Sequence, residues 1–573
     1  MSDTQTQLIK KELFGHPKGL FILFFTEMWE RFSYYGMRAL LVLYIASSVS
    51  DGGLGWTKGN ALELYGWYTM LVYVMSIPGG IIADKMLGQK KSVMYGALIL
   101  VAGHGILAVE ALWAFYTGLG LIVLGVGMLK PNISTMVGGL YKQGDLRRDK
   151  GFTIFYIGIN IGAFISSLLV GYIGEEYGWH YGFGLAGIGM AIGQLFYWRG
   201  QKYLSHVGNF LGDKEVSKEE QEAMKRPLNS IEKDRVKVLL ISFLIIIVFW
   251  GAFEQAGGLL NLYASEKIDR LMFGWEMPAT WFQSFNAGFI ILFGMLVAGF
   301  WANRKLKGKE TSTLLKMGVG TIIMGLGFLL MTFASKEASA IEFGTASFWW
   351  LAAAYLLHTI GELCASPTAL SFITKLAPLK YASIMMGAYF AATGLGNKLA
   401  GTIGEASQSE PIRTEFVAQA HQVSAFNGAD KLIAKDQNFS IKAKLYVENG
   451  NLVVKSYEHG TDIKPLFSLE KASDQTDLIK ALNERQVTEN QPYHASLKFE
   501  KDFEAKKIAA NKGDGKNYEG TFIIEEIQSE KEYNIFMFIF GLTAVFGLLV
   551  IALLKPLKRL THGAEDNEGL ASN

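Results

Sequence analysis

Long apolar segments separated by polar connections occupy most of the chain, and this pattern predicts about twelve helices that cross a membrane. Each segment is near or above the ~20 residues that a helix needs to span a bilayer. The predicted spans are residues 20–48, 62–83, 92–112, 115–140, 152–173, 181–199, 236–263, 278–301, 311–333, 347–372, 380–404 and 533–556. The pattern therefore predicts an all-α membrane protein.

Lysine and arginine are concentrated in every second connection and in both tails, and the positive-inside rule places such segments in the cytoplasm. The residues are Lys10, Lys11, Lys18, Lys85, Lys90, Lys91, Arg147, Arg148, Lys150, Lys225, Arg226, Lys233, Arg235, Arg304, Lys305, Lys307, Lys309, Lys555, Lys558 and Arg559. The opposite connections have fewer cations and include Glu175 and Glu176. We therefore predict a protein of the cell inner membrane with both termini in the cytoplasm.

Two polar segments lie outside the predicted spans and divide the chain into domains. Residues 200–235 form a charged cytoplasmic linker, and residues 405–531 form a polar external insertion. Alternating apolar residues on both sides of residues 448–451, Glu-Asn-Gly-Asn, predict a β-hairpin in this insertion. The predicted domains are a six-helix bundle (1–199), the linker (200–235), helices seven to eleven (236–404), the β-containing insertion (405–531) and the last helix with its tail (532–573).

A weak internal repeat suggests two halves of six helices. Residues 80–91, Gly-Ile-Ile-Ala-Asp-Lys-Met-Leu-Gly-Gln-Lys-Lys, follow the second span, and a similar basic sequence at residues 299–306 follows the eighth. Duplicated halves around a central site are a common transporter plan, although two basic loops can also resemble each other by chance. With its Gly-x-x-x-Asp-Lys-x-x-Gly loop, the arrangement resembles the major facilitator superfamily.

Composition agrees with a membrane protein and argues against several other classes. The 573 residues are 50% hydrophobic and 18% charged, with a mean hydropathy of +0.22. A net charge of +2 does not indicate nucleic acid binding. The single cysteine, Cys364, excludes an intrachain disulfide. The N-terminus has no apolar core with a cleavage site, so we predict no removable signal peptide.

The first predicted span contains an unusual group of polar and charged residues. Glu27, Glu30, Arg31, Tyr34 and Arg38 occur at intervals that return to one side of a helix. An ionised side chain at bilayer depth costs roughly 2.5 to 3.5 kcal/mol on insertion scales. These groups must therefore be paired or border water inside the bundle, and we interpret them as part of a transport pathway.

Two motifs give the chain a specific resemblance. Residues 27–36, Glu-Met-Trp-Glu-Arg-Phe-Ser-Tyr-Tyr-Gly, resemble the first-helix signature of the proton-dependent oligopeptide transporter family, and residues 155–162, Phe-Tyr-Ile-Gly-Ile-Asn-Ile-Gly, resemble its fifth-helix signature. Further similarity occurs at residues 147–152, 253–255, 281–286 and 361–367. The resemblance covers all the predicted spans but not residues 405–531. The family's usual tryptophan in the eleventh span corresponds to Tyr389 here.

The resemblance implies a site for di- and tripeptides, whose ammonium and carboxylate groups require partners of opposite charge. Arg38 and Lys130 would face the peptide carboxylate, and Glu362 would face its amino group. The other implied substrate-binding residues are Tyr34, Tyr35, Tyr68, Tyr156, Asn160, Asn286 and Ser366. The tyrosines and asparagines also have a structural alternative, because membrane proteins use them in packing and in hydrogen bonds between helices.

Proton coupling requires carboxylates whose proton affinity changes as the cavity switches sides. We predict that Glu27 and Glu30 exchange Arg31 and Lys130 as partners. The resemblance also implies that Glu254 is a protonatable gate residue. The proton gradient would drive transport, with no cofactor and no metal site. His104 and His358 are interpreted as packed or hydrogen-bonded core residues, because no carboxylate motif indicates a proton relay at either position.

The function predicted from these observations is import of di- and tripeptides by a monomeric, proton-coupled symporter that works by alternating access. Two alternatives stay open: a proton-coupled carrier of another small substrate, such as an amino acid or nitrate, and a peptide sensor on a transporter scaffold. An enzyme is disfavoured, because His358 and Glu362 have the spacing but not the sequence of a His-Glu-x-x-His motif.

Overall fold

The structure is a computed structural model of the whole chain, and most of the chain is described by it. The described residues are 12–47, 51–142, 145, 147–210, 227–340, 344–378, 381–409, 412–419, 439–448, 451–458, 462–468, 480, 482–484, 487, 493–500, 517–526 and 530–564. Part of the predicted linker (211–226), residues 449–450 of the predicted hairpin turn and both chain ends lie outside the described residues.

In the described part of the chain, each predicted span is a helix, with ends that differ from the prediction by a few residues. The helices are α1 (Lys18–Ala46), α2 (Lys58–Val74, continued by Ser76–Ile82), α3 (Gln89–Leu107), α4 (Leu112–Gly139), α5 (Arg147–Tyr177), α6 (Trp179–Gly200), α7 (Ser230–Phe253, continued by Leu259–Lys267), α8 (Trp281–Leu306), α9 (Thr313–Ala340), α10 (Phe348–Leu376), α11 (Ala382–Ala406) and α12 (Glu530–Ala552). A short helix, α13 (Leu554–Leu560), follows.

Hydropathy separates these helices into two groups. Within the described ranges, 7 are long and apolar enough to cross a membrane by length and composition alone, and they correspond to α2, α4, α5, α7, α8, α9 and α12. Helix α1 instead carries Glu27, Glu30, Arg31 and Arg38, and it is buried along most of its length. Its neighbours α5 and α6 shield these charges from lipid.

The packing of the helices repeats with an offset of six. In the first half, α3 packs against α4 and α6, α2 against α4, and α1 against α5. In the second half, α9 packs against α10 and α12, α8 against α10, and α7 against α11. The halves meet where α2 packs against α11 and where α5 packs against α8. The repetition agrees with the two six-helix halves predicted from the basic loops.

Helix α7 is interrupted where it meets the first half. Residues Glu254–Ala256 form a 3-10 turn, and the α-helix resumes at Leu259. Gly257 follows the turn, and a Cβ atom at this position would lie 2.1 Å from the hydroxyl of Tyr65. Only glycine therefore permits this approach, which places Glu254 of the second half against Tyr65 of the first.

The insertion between α11 and α12 contains a six-stranded antiparallel sheet. Its strands are β5 (Ile412–Gln419), β6 (Phe439–Glu448), β7 (Asn451–Glu458), β8 (Asp462–Ser468), β9 (Tyr493–Glu500) and β10 (Asn517–Glu526). They lie side by side in the order β5-β10-β9-β6-β7-β8. The predicted hairpin is formed by β6 and β7, with Glu448 opposite Asn451. Small hairpins β1–β2 (Glu12–Leu13, His16–Pro17) and β3–β4 (Leu271–Met272, Trp275–Glu276) were not predicted.

Candidate functional site

A cavity lies between the two halves and is bordered by α1, α2 and α5 on one side and by α7, α8 and α10 on the other. The space between its side chains amounts to about 940 Å³, including the part that is open to solvent. The predicted site residues that line it are Tyr34, Tyr35, Arg38, Tyr156, Asn160, Glu254, Asn286 and Glu362. The structure thus brings together, in one cavity, residues that are up to several hundred positions apart in sequence.

Arg38 and Glu254 form an ion pair that joins the halves at this cavity. Arg38 Nη1 lies 2.9 Å from Glu254 Oε1, and both side chains are buried. The hydroxyl of Tyr65 donates to the same carboxylate oxygen at 2.5 Å. Arg38 Nη2 donates to Gln283 Oε1 at 3.4 Å, and the guanidinium carbon lies 4.9 Å from the centre of the Tyr35 ring. Arg38 therefore contacts an anion, an amide and an aromatic ring.

Glu362 on α10 supplies negative charge to the same cavity. Asn286 Nδ2 donates to Glu362 Oε2 at 2.8 Å and to Thr359 Oγ1 at 3.1 Å. From the opposite half, Tyr156 and Asn160 line the wall, and Asn160 Nδ2 donates to the carbonyl oxygen of Tyr156 at 2.9 Å. The cavity therefore has a cationic group at Arg38 and a carboxylate at Glu362, an arrangement that suits a molecule with both charges.

A second charged cluster lies on α1. Arg31 Nε is 2.8 Å from an oxygen of Glu27 and 2.8 Å from an oxygen of Glu30, and the three side chains are buried. Only the contact with Glu27 has hydrogen-bond geometry, so Glu30 has no hydrogen-bonded partner among the described residues. Lys130 on α4 interacts electrostatically with both carboxylates, while its Nζ lies 3.6 Å from the centre of the Tyr73 ring. Lys130 is thus close to Glu27 and Glu30, whereas the exchange of Arg31 and Lys130 as partners of these carboxylates stays a prediction.

The other predicted residues lie near the cavity but do not line it. Glu27, Glu30, Arg31 and Lys130 form the cluster on α1 and α4. Tyr68 is buried, and its hydroxyl has no partner among the described residues. Ser366 is partly buried one helical turn beyond Glu362 on α10. The substrate and proton roles of all the predicted residues stay predictions.

Several cavity residues were missed by sequence reasoning: Tyr73, Trp250, Phe253, Gln283, Tyr355 and His358. His358 was interpreted as a core residue. It is buried and its ring centre lies 4.6 Å from that of Phe328, but it also borders the cavity one turn before Glu362. Sequence spacing gives a usable signal for His358 and Gln283. His358 precedes Glu362 by one helical turn and Gln283 precedes Asn286 by one turn, so each shares a helix face with a predicted site residue.

A further contact between the halves joins the end of α5 to the start of α8. The carboxylate of Glu175 accepts hydrogen bonds from the backbone nitrogens of Ala279 and Thr280, both at 2.9 Å, and from the hydroxyl of Thr280 at 2.6 Å. Gly171 leaves room for this approach, since a Cβ atom there would lie 2.1 Å from Thr280 Oγ1. The odd-numbered helices end on this side of the bundle, which we call the insertion end because the insertion follows α11. Glu175 therefore joins the two halves at the insertion end, and we expect this contact to hold that end closed.

Glu175→Ala is expected to favour opening at the insertion end. The substitution removes an acceptor from three donors, and a buried donor without a partner costs roughly 1–3 kcal/mol. In a Cys364→Ser background with Ala163→Cys in the cavity wall, labelling by an impermeant thiol reagent from that end should become about tenfold faster, since tenfold corresponds to about 1.4 kcal/mol. Glu176→Ala, at the exposed neighbouring position, is the matched control. Equal labelling rates in the two variants would contradict the closing role of Glu175.

A membrane-crossing bundle built from two repeated halves, with a polar cavity between them, is the architecture of a secondary transporter. The family model of the POT family matches residues 90–221 and 214–419. A peptide transporter from Yersinia enterocolitica is 36% identical over 469 residues, which are 71% of this chain and 91% of that protein. A di-/tripeptide transporter from Lactococcus lactis is 33% identical over 67% of this chain and 88% of its own length.

The chain therefore belongs to the proton-dependent oligopeptide transporter (POT) family. A solved POT family transporter in complex with 5-aminolevulinic acid is similar to it, with a TM-score of 0.63, 32% identity, and coverage of 69% of this chain and 91% of that chain. The predicted twelve-helix major facilitator fold is confirmed, and the chain is a multi-pass membrane transporter rather than an enzyme.

Proposed function

We propose that this protein is a proton-coupled symporter that imports di- and tripeptides by alternating access. One observation carries the proposal: Arg38 and Glu362 place opposite charges in one cavity between the two halves. A peptide carries a carboxylate and an ammonium at fixed ends, so it can bind both groups at once. The Yersinia and Lactococcus relatives, which are named as peptide transporters, support peptides as the substrate class.

The peptide carboxylate would bind Arg38, with Lys130 as a second cation. In the state described, Glu254 occupies Arg38, so substrate must compete with that carboxylate or arrive when it is protonated. The ammonium group would bind Glu362 and release Asn286, whose amide could then bond the peptide backbone. The substrate-facing wall would include Tyr34, Tyr35, Tyr156 and Asn160, which line the cavity in the state described. Tyr68 and Ser366 would join it in another state of the transport cycle.

Two groups of carboxylates are our candidates for carrying the proton. Glu27 and Glu30 share Arg31 and lie close to Lys130, so protonation of one carboxylate would change which cation the other holds. Protonation of Glu254 would remove the charge that binds Arg38 and would weaken the contact between the halves. One charge moved across 100 mV is worth about 2.3 kcal/mol, which could sustain a concentration ratio of roughly 50-fold.

We further propose that the insertion end faces outward from the cell inner membrane and that both termini lie in the cytoplasm. The contacts of Glu175 and the Arg38–Glu254 pair then close the cavity toward the outside in the state described. Peptide would be released when the halves rock about the cavity and the opposite end of the bundle, on the side of the linker (200–235), opens. The transporter would act as a monomer with the domains predicted from the sequence. It would need no cofactor, because the proton gradient would drive transport.

Uptake by proteoliposomes tests this proposal. Vesicles with an inward proton gradient should accumulate a labelled dipeptide above its external concentration, and a protonophore should abolish the accumulation. Unlabelled di- and tripeptides should compete with it, whereas protein-free vesicles provide the baseline. Identical import after the gradient has been collapsed would overturn the proton-coupled mechanism. Saturable binding without accumulation would favour a peptide sensor instead.

A carrier of smaller zwitterions is the second candidate function. The similar POT family transporter solved with 5-aminolevulinic acid favours it, because that molecule also combines an amino group with a carboxylate. The same vesicles distinguish the two substrate classes. If 5-aminolevulinic acid is accumulated and no peptide competes with it, the peptide assignment is wrong while the charged cavity keeps its role.

Glu362→Gln is expected to weaken the binding of peptides that have a free amino group. A hydrogen bond to a charged group is worth about 1.5–3 kcal/mol, which corresponds to an increase of roughly 10- to 150-fold in KM. Glutamine can still accept the hydrogen bond from Asn286, so the helix contact should persist. Competition by an N-acetylated dipeptide provides the control, and its inhibition constant should change much less. Equal weakening of both ligands would argue against an ammonium site at Glu362.

A further inference from the structure

Gln283 lines the cavity from the first turn of α8, and its side-chain amide is only partly paired. Its oxygen accepts a hydrogen bond from Arg38, whereas its Nε2 has no partner among the described residues. The residue as a whole is 8% exposed. A buried amide donor without an acceptor is unfavourable, so packing alone does not account for glutamine at this position.

Arg38, the neighbour of Gln283, has an incomplete set of hydrogen bonds as well. Its Nη1 contacts Glu254, but its Nε has no partner in the described part of the chain. A guanidinium carries five N–H donors and no acceptor. Both residues line the same cavity, so their unpaired donors can serve an acceptor that enters it when Arg38 releases Glu254. A carboxylate fits, since it can take two parallel hydrogen bonds from a guanidinium.

Asn286, one turn further along α8, makes a similar side-chain contact with a group of the opposite charge. Asn286 donates to the carboxylate of Glu362, whereas Gln283 accepts from the guanidinium of Arg38. Three residues of helix separate the Cα atoms of Gln283 and Asn286 by about 4.5 Å along the axis. One face of α8 thus gives a neutral hydrogen-bond partner to the cation and to the anion of the cavity.

We propose that Gln283 is a positioning residue that holds Arg38 toward the cavity while the substrate carboxylate replaces Glu254 as its counterion. The Gln283 oxygen keeps the guanidinium in place, and Nε2 donates to the incoming carboxylate. The inference rests on the proposed function. It extends that function by making Gln283 responsible for the preference for substrates with a free carboxylate. A neutral side chain is needed, because a carboxylate at this position would itself occupy Arg38.

The test compares Gln283→Leu and Gln283→Glu with the wild-type protein in proteoliposomes. The ligands are a dipeptide and its C-terminal amide, which lacks the carboxylate. Gln283→Leu should raise the dipeptide KM at least tenfold while the maximal rate stays within twofold. Gln283→Glu should raise the dipeptide KM further. In both variants, the inhibition constant of the dipeptide should increase at least five times more than the inhibition constant of the amide. Gln255→Leu is the control, because Gln255 is a buried amide beside Glu254 that bonds Gly251 and Ala400 and not Arg38.

The results of this experiment distinguish failure of the role proposed for Gln283 from failure of the proposed function. If the wild-type protein accumulates dipeptide and both Gln283 variants weaken the dipeptide and the amide equally, Gln283 has only a structural role and the inference is wrong. Unchanged constants in both variants lead to the same conclusion. If the wild-type protein itself takes up no dipeptide, the proposed function fails first. Should Gln283→Leu fail to fold, the near-isosteric Gln283→Glu still gives the comparison of the two ligands.

Discussion

The variant Glu254→Gln is expected to lose uphill accumulation of peptide while it retains exchange. Glutamine keeps the shape of glutamate and an oxygen that can accept from Arg38 and Tyr65, so the contact between the halves can still form and break. It cannot bind or release a proton, and it leaves Arg38 without its anion. The accumulation ratio under an inward proton gradient should therefore fall at least tenfold, to a value near one. Counterflow of labelled against unlabelled dipeptide should continue.

The control for this variant is Glu266→Gln, at another ion pair between the halves. Glu266 pairs with Lys58 at 2.6 Å, but its side chain is 37% exposed, and exposed pairs contribute little. Accumulation should stay within twofold of the wild-type value in this control. Undiminished accumulation by Glu254→Gln would remove Glu254 from the coupling mechanism and leave the cluster on α1 as the proton carrier.

Arg31→Met is expected to destabilise the protein by about 3–5 kcal/mol, the usual cost of removing one partner from a buried ion pair. Arg31 lies 2.8 Å from each of two buried carboxylates. Among the described residues, methionine at this position would leave Glu27 and Glu30 with the more distant Lys130 as their cation. Denaturant or thermal unfolding of the purified protein measures the effect. Arg199→Met, on an exposed turn of α6, is the control and should change stability by less than about 0.5 kcal/mol.

A triple variant separates stability from coupling at this cluster. Arg31→Met combined with Glu27→Met and Glu30→Met removes the whole group of charges, and hydrophobic side chains of similar volume can replace a buried ion pair at little cost. The stability of this variant should return to within about 1–2 kcal/mol of the wild-type value, while proton-driven accumulation should be lost. Full accumulation by the triple variant would show that the cluster only holds α1 in place.

The features that were predicted correctly depend on interactions between residues that are close in sequence. The apolar segments were long enough to predict every helix of the described spans, because a bilayer leaves few alternatives for the backbone. The pairing of Glu27 with Arg31 also follows from local geometry, since residues four apart share a helix face. The hairpin of β6 and β7 was found for the same reason, from an Asn-Gly turn between alternating residues.

Tertiary contacts explain what the sequence did not predict. Arg38 and Glu254 are 216 positions apart, and their contact depends on the interruption of α7 and on Gly257, which lets Tyr65 approach. Arg38 was expected to face substrate, and nothing in its own segment indicated that it would first hold Glu254. The order of six strands in the insertion likewise depends on pairings between distant segments.

The insertion begins after α11 and returns to α12, so both of its connections belong to the second half. At its base, Ser409 donates a hydrogen bond to Glu526, and Lys531 donates to the carbonyl oxygen of Gln408. A dye attached to the six-stranded sheet should consequently travel with that half through each transport cycle. Paired with a second dye on α6, it would give an energy-transfer readout of rocking from outside the bilayer, without any label near the peptide pathway.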